Sequence, residues 1–255
     1  MTRCQRVRAR AGAFSGRCTL ELSQMEPPIS TLVGQFVGAR GGMCGTLTKK
    51  WIADRARGRT LGATLFDTRQ RGMEIVPWVS LDTIHMVPQE PERELNMSRI
   101  ANLLMTDLAD ENYQLTSRFG SRGITKRFWR RVDRSVWFEN SVAWLASCGV
   151  RLSDEMVRRC SSTRASVEAV NQLIWRDIQP VPGKFVMCTL GGRIGSHVVG
   201  FALSQRTPLV LFDPNFGEFE FTTESWGEWM TETLYGLGWR DFGTVAIQIF
   251  QGPAA

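Results

Sequence analysis

From Cys44 onward the apolar positions fall at helical spacing: Leu47, Trp51 and Ile52 follow the cysteine, and Gly58 stands where such a helix would stop. The pattern predicts a helix with Cys44 in its first turn. The same spacing recurs over 98–111 (Ile100, Leu103, Leu104, Leu108), 135–148 (Val136, Phe138, Val142, Leu145) and 162–178 (Val167, Val170, Leu173, Ile174). After Pro182 the chain changes to short β-rich runs bounded by glycine and proline, at 184–190, 196–204, 209–212, 218–222 and 244–250. One more helix, 225–235, carries Trp226, Trp229 and Met230 on one side. Helices first and an antiparallel sheet second define the α+β class rather than a doubly wound fold. One domain is expected over 41–255, helical over about 41–180 and β-rich over about 183–252. Residues 1–40, rich in arginine and ending in Gly34, Gly38, Gly41 and Gly42, are expected to form a flexible arm.

Composition narrows the function. The chain has 255 residues, 43% of them hydrophobic, with nine Trp and fourteen Phe, so it carries the apolar surface that a folded core requires. Its longest apolar stretches, such as 142–146 and 209–212, fall far short of the roughly 18 to 20 residues of a membrane span. Arg3, Arg6, Arg8, Arg10 and Arg17 crowd the start without an apolar run behind them, which implies no Sec signal. Six cysteines contain no C-x-x-C pair and there are only two histidines, so no metal site is expected. The net charge of +6 equals that of 118–134 alone, with seven basic residues against Asp133. Such a patch attracts nucleic acid, anionic lipid or an acidic protein face, or is simply a solvated surface.

Three elements carry candidate chemistry. A helix N-terminus lowers the pKa of a thiol through its unpaired N–H groups and positive dipole end, and Cys44 has that placement. Gly41, Gly42 and Gly45 leave room for a substrate backbone, and the Cys44 amide can help bind an oxyanion. His197 lies in an expected strand 153 residues later, close to the roughly 130 to 150 residues between nucleophile and base in papain-like enzymes. Sixteen residues further on, an apolar strand ends in Asp213-Pro214-Asn215, where a carboxylate can orient the imidazole. Each element alone also reads as structural: a buried cysteine, a core histidine, an Asp-Pro turn.

Taken together, Gly42-Met43-Cys44-Gly45-Thr46-Leu47-Thr48-Lys49-Lys50-Trp51-Ile52, Ser196-His197-Val198-Val199-Gly200 and Phe212-Asp213-Pro214-Asn215-Phe216-Gly217-Glu218-Phe219 resemble the Cys, His and Asp blocks of the YopT/AvrPphB-type cysteine peptidases. The resemblance spans about 41–222 and implies a papain-like fold, a Cys44/His197/Asp213 triad, no cofactor, and a bacterial effector cysteine protease. It implies delivery by a Sec-independent secretion system and action on a protein substrate in the target-cell cytoplasm. The family's polar oxyanion residue has no counterpart just before Cys44; Gln35, nine residues away, is the nearest candidate. Neither 1–3 nor the stretch after Gly16 fits an acylated N-terminal glycine, so no lipidation is expected. Arg127, Arg130 and Arg131 are expected to dock an acidic protein face or an anionic membrane rather than nucleic acid, and a cognate chaperone or inhibitor is a further candidate partner. Two alternatives stand beside hydrolysis: the same triad performing deamidation or acyl transfer, and a non-enzymatic adaptor docking through 118–134.

Overall fold

The strands at 184–191, 196–203, 209–213 and 244–251 are mainly apolar, and a sheet built from them must be covered on both faces. The computed structural model, which describes residues 1–31, 43–71, 74–79, 142–174, 182–191, 196–203, 209–236 and 242–253, has this form. Its elements in chain order are α1 (Arg3–Arg10), a 3-10 turn (Ala11–Phe14), β1 (Gly16–Leu20), α2 (Cys44–Ala56), α3 (Leu61–Leu65), β2 (Phe66–Arg71) and β3 (Glu74–Val79). A helical stretch over 142–147 follows, then β4 (Arg151–Arg159), α4 (Thr163–Gln172), β5 (Lys184–Gly191), β6 (Ser196–Leu203), β7 (Leu209–Asp213), β8 (Gly217–Phe221), α5 (Trp226–Gly236) and β9 (Thr244–Gln251).

Seven strands form one sheet in the order β1-β8-β7-β6-β5-β9-β4, every neighbouring pair antiparallel. Side chains alternate between two cores. On one face Val199, Phe201, Leu211, Phe219 and Ile247 pack with Val167 and Val170 of α4 and with Trp226, Trp229 and Met230 of α5. On the other, Phe185, Met187, Val198, Val210, Phe212 and Phe250 pack with Leu47, Trp51 and Ile52 of α2. The expected antiparallel sheet, α2, and the apolar side of α5 are all present, and α4 forms the first part of the expected 162–178 helix, whose last residues, 175–178, lie outside the described residues. The expected helix at 98–111 lies outside the described residues, as does the first half of 135–148.

Two expectations need correction. Over residues 1–31 the expected arm is part of the fold. Cys4, Val7 and Ala11 form a narrow apolar stripe at i, i+3 and i+7 that packs onto the α4/α5 face, while β1 adds an edge strand with Gly16 opposite Phe221 and an Arg17–Glu220 ion pair at 2.5 Å. The span expected to be helical to residue 180 also contains strands. β4 pairs with β9 at the far edge, and its exposed Arg151, Asp154 and Glu155 are the charged residues that protect an edge from further pairing. β2 and β3 form a separate antiparallel pair, from Phe66 opposite Val79 to Arg71 opposite Glu74.

The contact that seats α2 is between Trp51 and Gly200. Trp51 stacks on Phe212 with ring centroids 5.5 Å apart, and a Cβ on Gly200 would stand 2.8 Å from the indole. A glycine in β6 is therefore the surface on which the Cys44 helix rests. Gly200→Ala should cost about 1–3 kcal/mol, by the usual penalty of an added methyl in a filled core. Urea denaturation would measure it, and an unchanged midpoint would show that Trp51 has room to move.

Candidate active site

Cys44 is the first residue of α2, and no side chain caps that helix at Met43. The first-turn N–H groups thus lack intrahelical partners and present a positive end to the half-buried thiol. Three contacts fix the helix. The Thr48 hydroxyl donates to the Val198 carbonyl at 3.4 Å, one residue past His197. On β8, Glu218 accepts from Trp51 Nε1 at 2.6 Å and from Arg55 at 2.9 Å. At the C-terminal end, buried Asp54 is held by Arg59 at 2.7 Å and Lys50 at 3.5 Å, and Gly58 takes φ +68° to end the helix as expected.

His197 stands at the start of β6 and Asp213 at the end of its antiparallel neighbour β7, so both lie at the same end of the sheet. Nε2 of His197 donates to the Asp213 carboxylate, 3.1 Å from each oxygen, and both residues are fully buried. The Cys44 thiol acts on the same imidazole, helping to hold it in the charged form.

The carboxylate is itself held by its turn. The Asn215 N–H donates to Asp213 Oδ1 at 2.8 Å and the Phe216 N–H to the Asp213 carbonyl at 2.9 Å, closing the Asp-Pro-Asn-Phe turn. Gly217 completes it at φ +120°, where a Cβ would strike the Leu20 carbonyl at 2.1 Å. The N-terminal segment buttresses the outside: Arg8 donates to the Phe216 carbonyl at 2.7 Å and the Cys4 thiol approaches the Asn215 carbonyl at 3.4 Å.

Electrostatics favour a charged imidazole. Burial alone pushes His197 down, but the Asp213 charge and hydrogen bond, with Cys44 adding to them, outweigh it and raise the group to about 10. Because the folded value lies above the ordinary 6.5, this contribution to stability is fully present below pH 6.5 and is lost as pH rises through about 10. His197→Gln should therefore reduce the difference in unfolding free energy between pH 6.5 and pH 10. Chemical denaturation at the two pH values checks this; an equal loss in wild type and variant would contradict it.

Burial pushes Cys188, Cys4 and Cys18 up, away from the thiolate form. Among the described residues no group of three or more His, Cys, Asp or Glu gathers where it could hold a metal ion.

Of the expected site residues, Cys44, His197 and Asp213 come together. Gln35, Arg127, Arg130 and Arg131 lie outside the described residues. Sequence reasoning missed Gln24: its Oε1 accepts the Met43 N–H and its Nε2 donates to Asn215 Oδ1, each at 2.7 Å. Nothing in the surrounding Ser23-Gln24-Met25-Glu26 marks it, because its partners come from distant parts of the chain.

The chain is 20% identical over 236 residues to the cysteine protease YopT of Yersinia pestis and 20% identical over 235 residues to that of Yersinia enterocolitica. Each alignment takes in 92% of this chain, which spans only 63% and 62% of those relatives' lengths. The crystal structure of the Pseudomonas avirulence protein AvrPphB aligns with 86% of this chain and 99% of its own, at 13% identity and a TM-score of 0.43. The family model described as Yersinia/Haemophilus virulence surface antigen matches residues 8–241, a span that contains Cys44, His197 and Asp213, and the chain belongs to this C58 peptidase family.

Proposed function

We propose that the chain is a papain-like cysteine endopeptidase, a bacterial effector that cleaves a protein of a target cell through Cys44, His197 and Asp213. The observation that carries this is one buried imidazole hydrogen-bonded to the Asp213 carboxylate and held further toward its charged form by the thiol at the N-terminus of α2. In this mechanism His197 holds the Cys44 proton as imidazolium and the thiolate attacks the scissile carbonyl. The oxyanion forms against the Cys44 amide at the uncapped start of α2. His197 then protonates the leaving amine, an acyl-thioester remains on Cys44, and a water deprotonated by His197 hydrolyses it. Asp213 holds the ring in the orientation and tautomer that both transfers need.

A thioester also permits deamidation or acyl transfer, and the product decides between them. The relatives named cysteine proteases support hydrolysis. Delivery by a Sec-independent secretion system and action in the target-cell cytoplasm belong to the same proposal. Docking of an acidic protein face or anionic membrane through 118–134 rests on charge alone. Mass spectrometry of a eukaryotic cell lysate incubated with wild type or with Cys44→Ala tests the reading. New protein termini that depend on Cys44 are expected; loss of ammonia or an added group without new termini would replace peptidase by one of the other reactions.

A further inference from the structure

The nucleophile and the carboxylate that orients its base reach the site from distant parts of the chain, Cys44 at the start of α2 and Asp213 at the end of β7. One side chain belonging to neither element spans them. Gln24 accepts the N–H of Met43, the residue at the cap position just before Cys44 and α2, and donates to the amide oxygen of Asn215. Asn215 in turn donates its backbone N–H to Asp213 Oδ1 at 2.8 Å, and Asp213 accepts from His197. An unbroken run of hydrogen bonds thus leads from the backbone beside the nucleophile to the imidazole that activates it.

Two features argue that the bridge does more than anchor a loop. The segment is docked without the carboxamide, through the Gln24 N–H to the Pro214 carbonyl at 2.7 Å and through buried Leu22 and Ile29. Asn215 is 1% exposed, and among the described residues its Nδ2 has no hydrogen-bond partner, so the bond from Gln24 is what orients its side-chain amide. The bridge also needs an acceptor and a donor in one planar group, which a carboxamide supplies and a carboxylate or hydrocarbon does not.

We propose that Gln24 is a positioning residue for catalysis, joining Met43 to Asn215 so that the Cys44 thiol and the His197 imidazole stay within hydrogen-bonding reach. This rests on the triad reading. The test is alkylation of the full chain with iodoacetamide between pH 5 and pH 9, followed at the Cys44 peptide by mass spectrometry, with melting temperatures measured alongside. Wild type should react rapidly at pH 6, and His197→Ala should lose that acid-side reactivity. Gln24→Met should react about tenfold more slowly at pH 6 and at the wild-type rate at pH 9, where the thiol ionises without help, as expected when a buried donor and acceptor lose their shared partner. A purely structural role would lower the melting temperature and leave the pH profile of the folded protein unmoved.

Asn215→Ala breaks the same bridge from its other end and should give the same profile, with the double variant no slower than either single one. A wild-type profile in folded Gln24→Met, or losses that add in the double variant, overturns the proposal. Should Gln24→Met fail to fold, the Asn215→Ala profile alone decides in the same way. If His197→Ala keeps the wild-type profile, the triad reading fails and the bridge falls with it; if only the Gln24 and Asn215 variants keep it, the bridge alone is wrong.

Discussion

Cys44→Ala should abolish turnover, lowering kcat by at least about 10^4-fold on a peptide spanning the bond cut in the lysate experiment, as loss of a covalent nucleophile does in comparable triads. The fold should survive, because the thiol is only half-buried and α2 remains seated by Trp51, Thr48 and Arg55. The two fully buried thiols cannot substitute. Cys188 and Cys4 are buried, burial holds both in the protonated form, and Cys188 lies within β5 among apolar neighbours. Circular dichroism and steady-state kinetics on the same samples check the two halves of the expectation. Retained activity in Cys44→Ala, or an equal loss in a stably folded Cys188→Ala, would move the nucleophile elsewhere.

The same physics explains which parts of the molecule were legible from the sequence. Strands β5, β6, β7 and β9 send side chains into cores on both faces of the sheet, so their near-continuous apolar runs stood out, as did the one-sided α5. Cys44 was legible because helical spacing begins at it, and the pairing of His197 with Asp213 because sixteen residues suit two antiparallel neighbours. The edges were hidden. β1 is five residues in which half-buried Gly16, Cys18 and Leu20 alternate with exposed Arg17 and Thr19, and β4 reads Arg-Leu-Ser-Asp-Glu, since an edge strand selects charge over hydrophobicity. α1 buries only Cys4 fully, too narrow a stripe to separate from a basic arm. Gln24 was invisible for a different reason: a hydrogen bond to a residue 191 positions away leaves no local pattern.

Replacing Asp213 separates its charge from its place in the turn. Asp213→Asn keeps an amide oxygen to accept the Asn215 N–H, now bonded at 2.8 Å, so the β7–β8 turn should hold; Asp213→Ala removes that acceptor as well and should melt lower. Both variants lose the negative charge, which is the largest influence raising His197, leaving burial to push the imidazole below its present value of about 10. The asparagine NH2 would in addition face Nε2, favouring the tautomer with its proton on Nδ1, the nitrogen that must take the thiol proton in the proposed mechanism. A ring so protonated and uncharged cannot accept the thiol proton. Asp213→Asn should therefore lower kcat by about 10^2 to 10^4-fold with little change in KM, the range seen when the orienting carboxylate of a triad is lost. His197→Ala should be at least as damaging. The alkaline limb of the pH–rate profile should also move toward neutral in Asp213→Asn, because the imidazolium that stabilises the thiolate is lost at lower pH. A wild-type kcat and an unmoved alkaline limb in folded Asp213→Asn would show that His197 is oriented by another group.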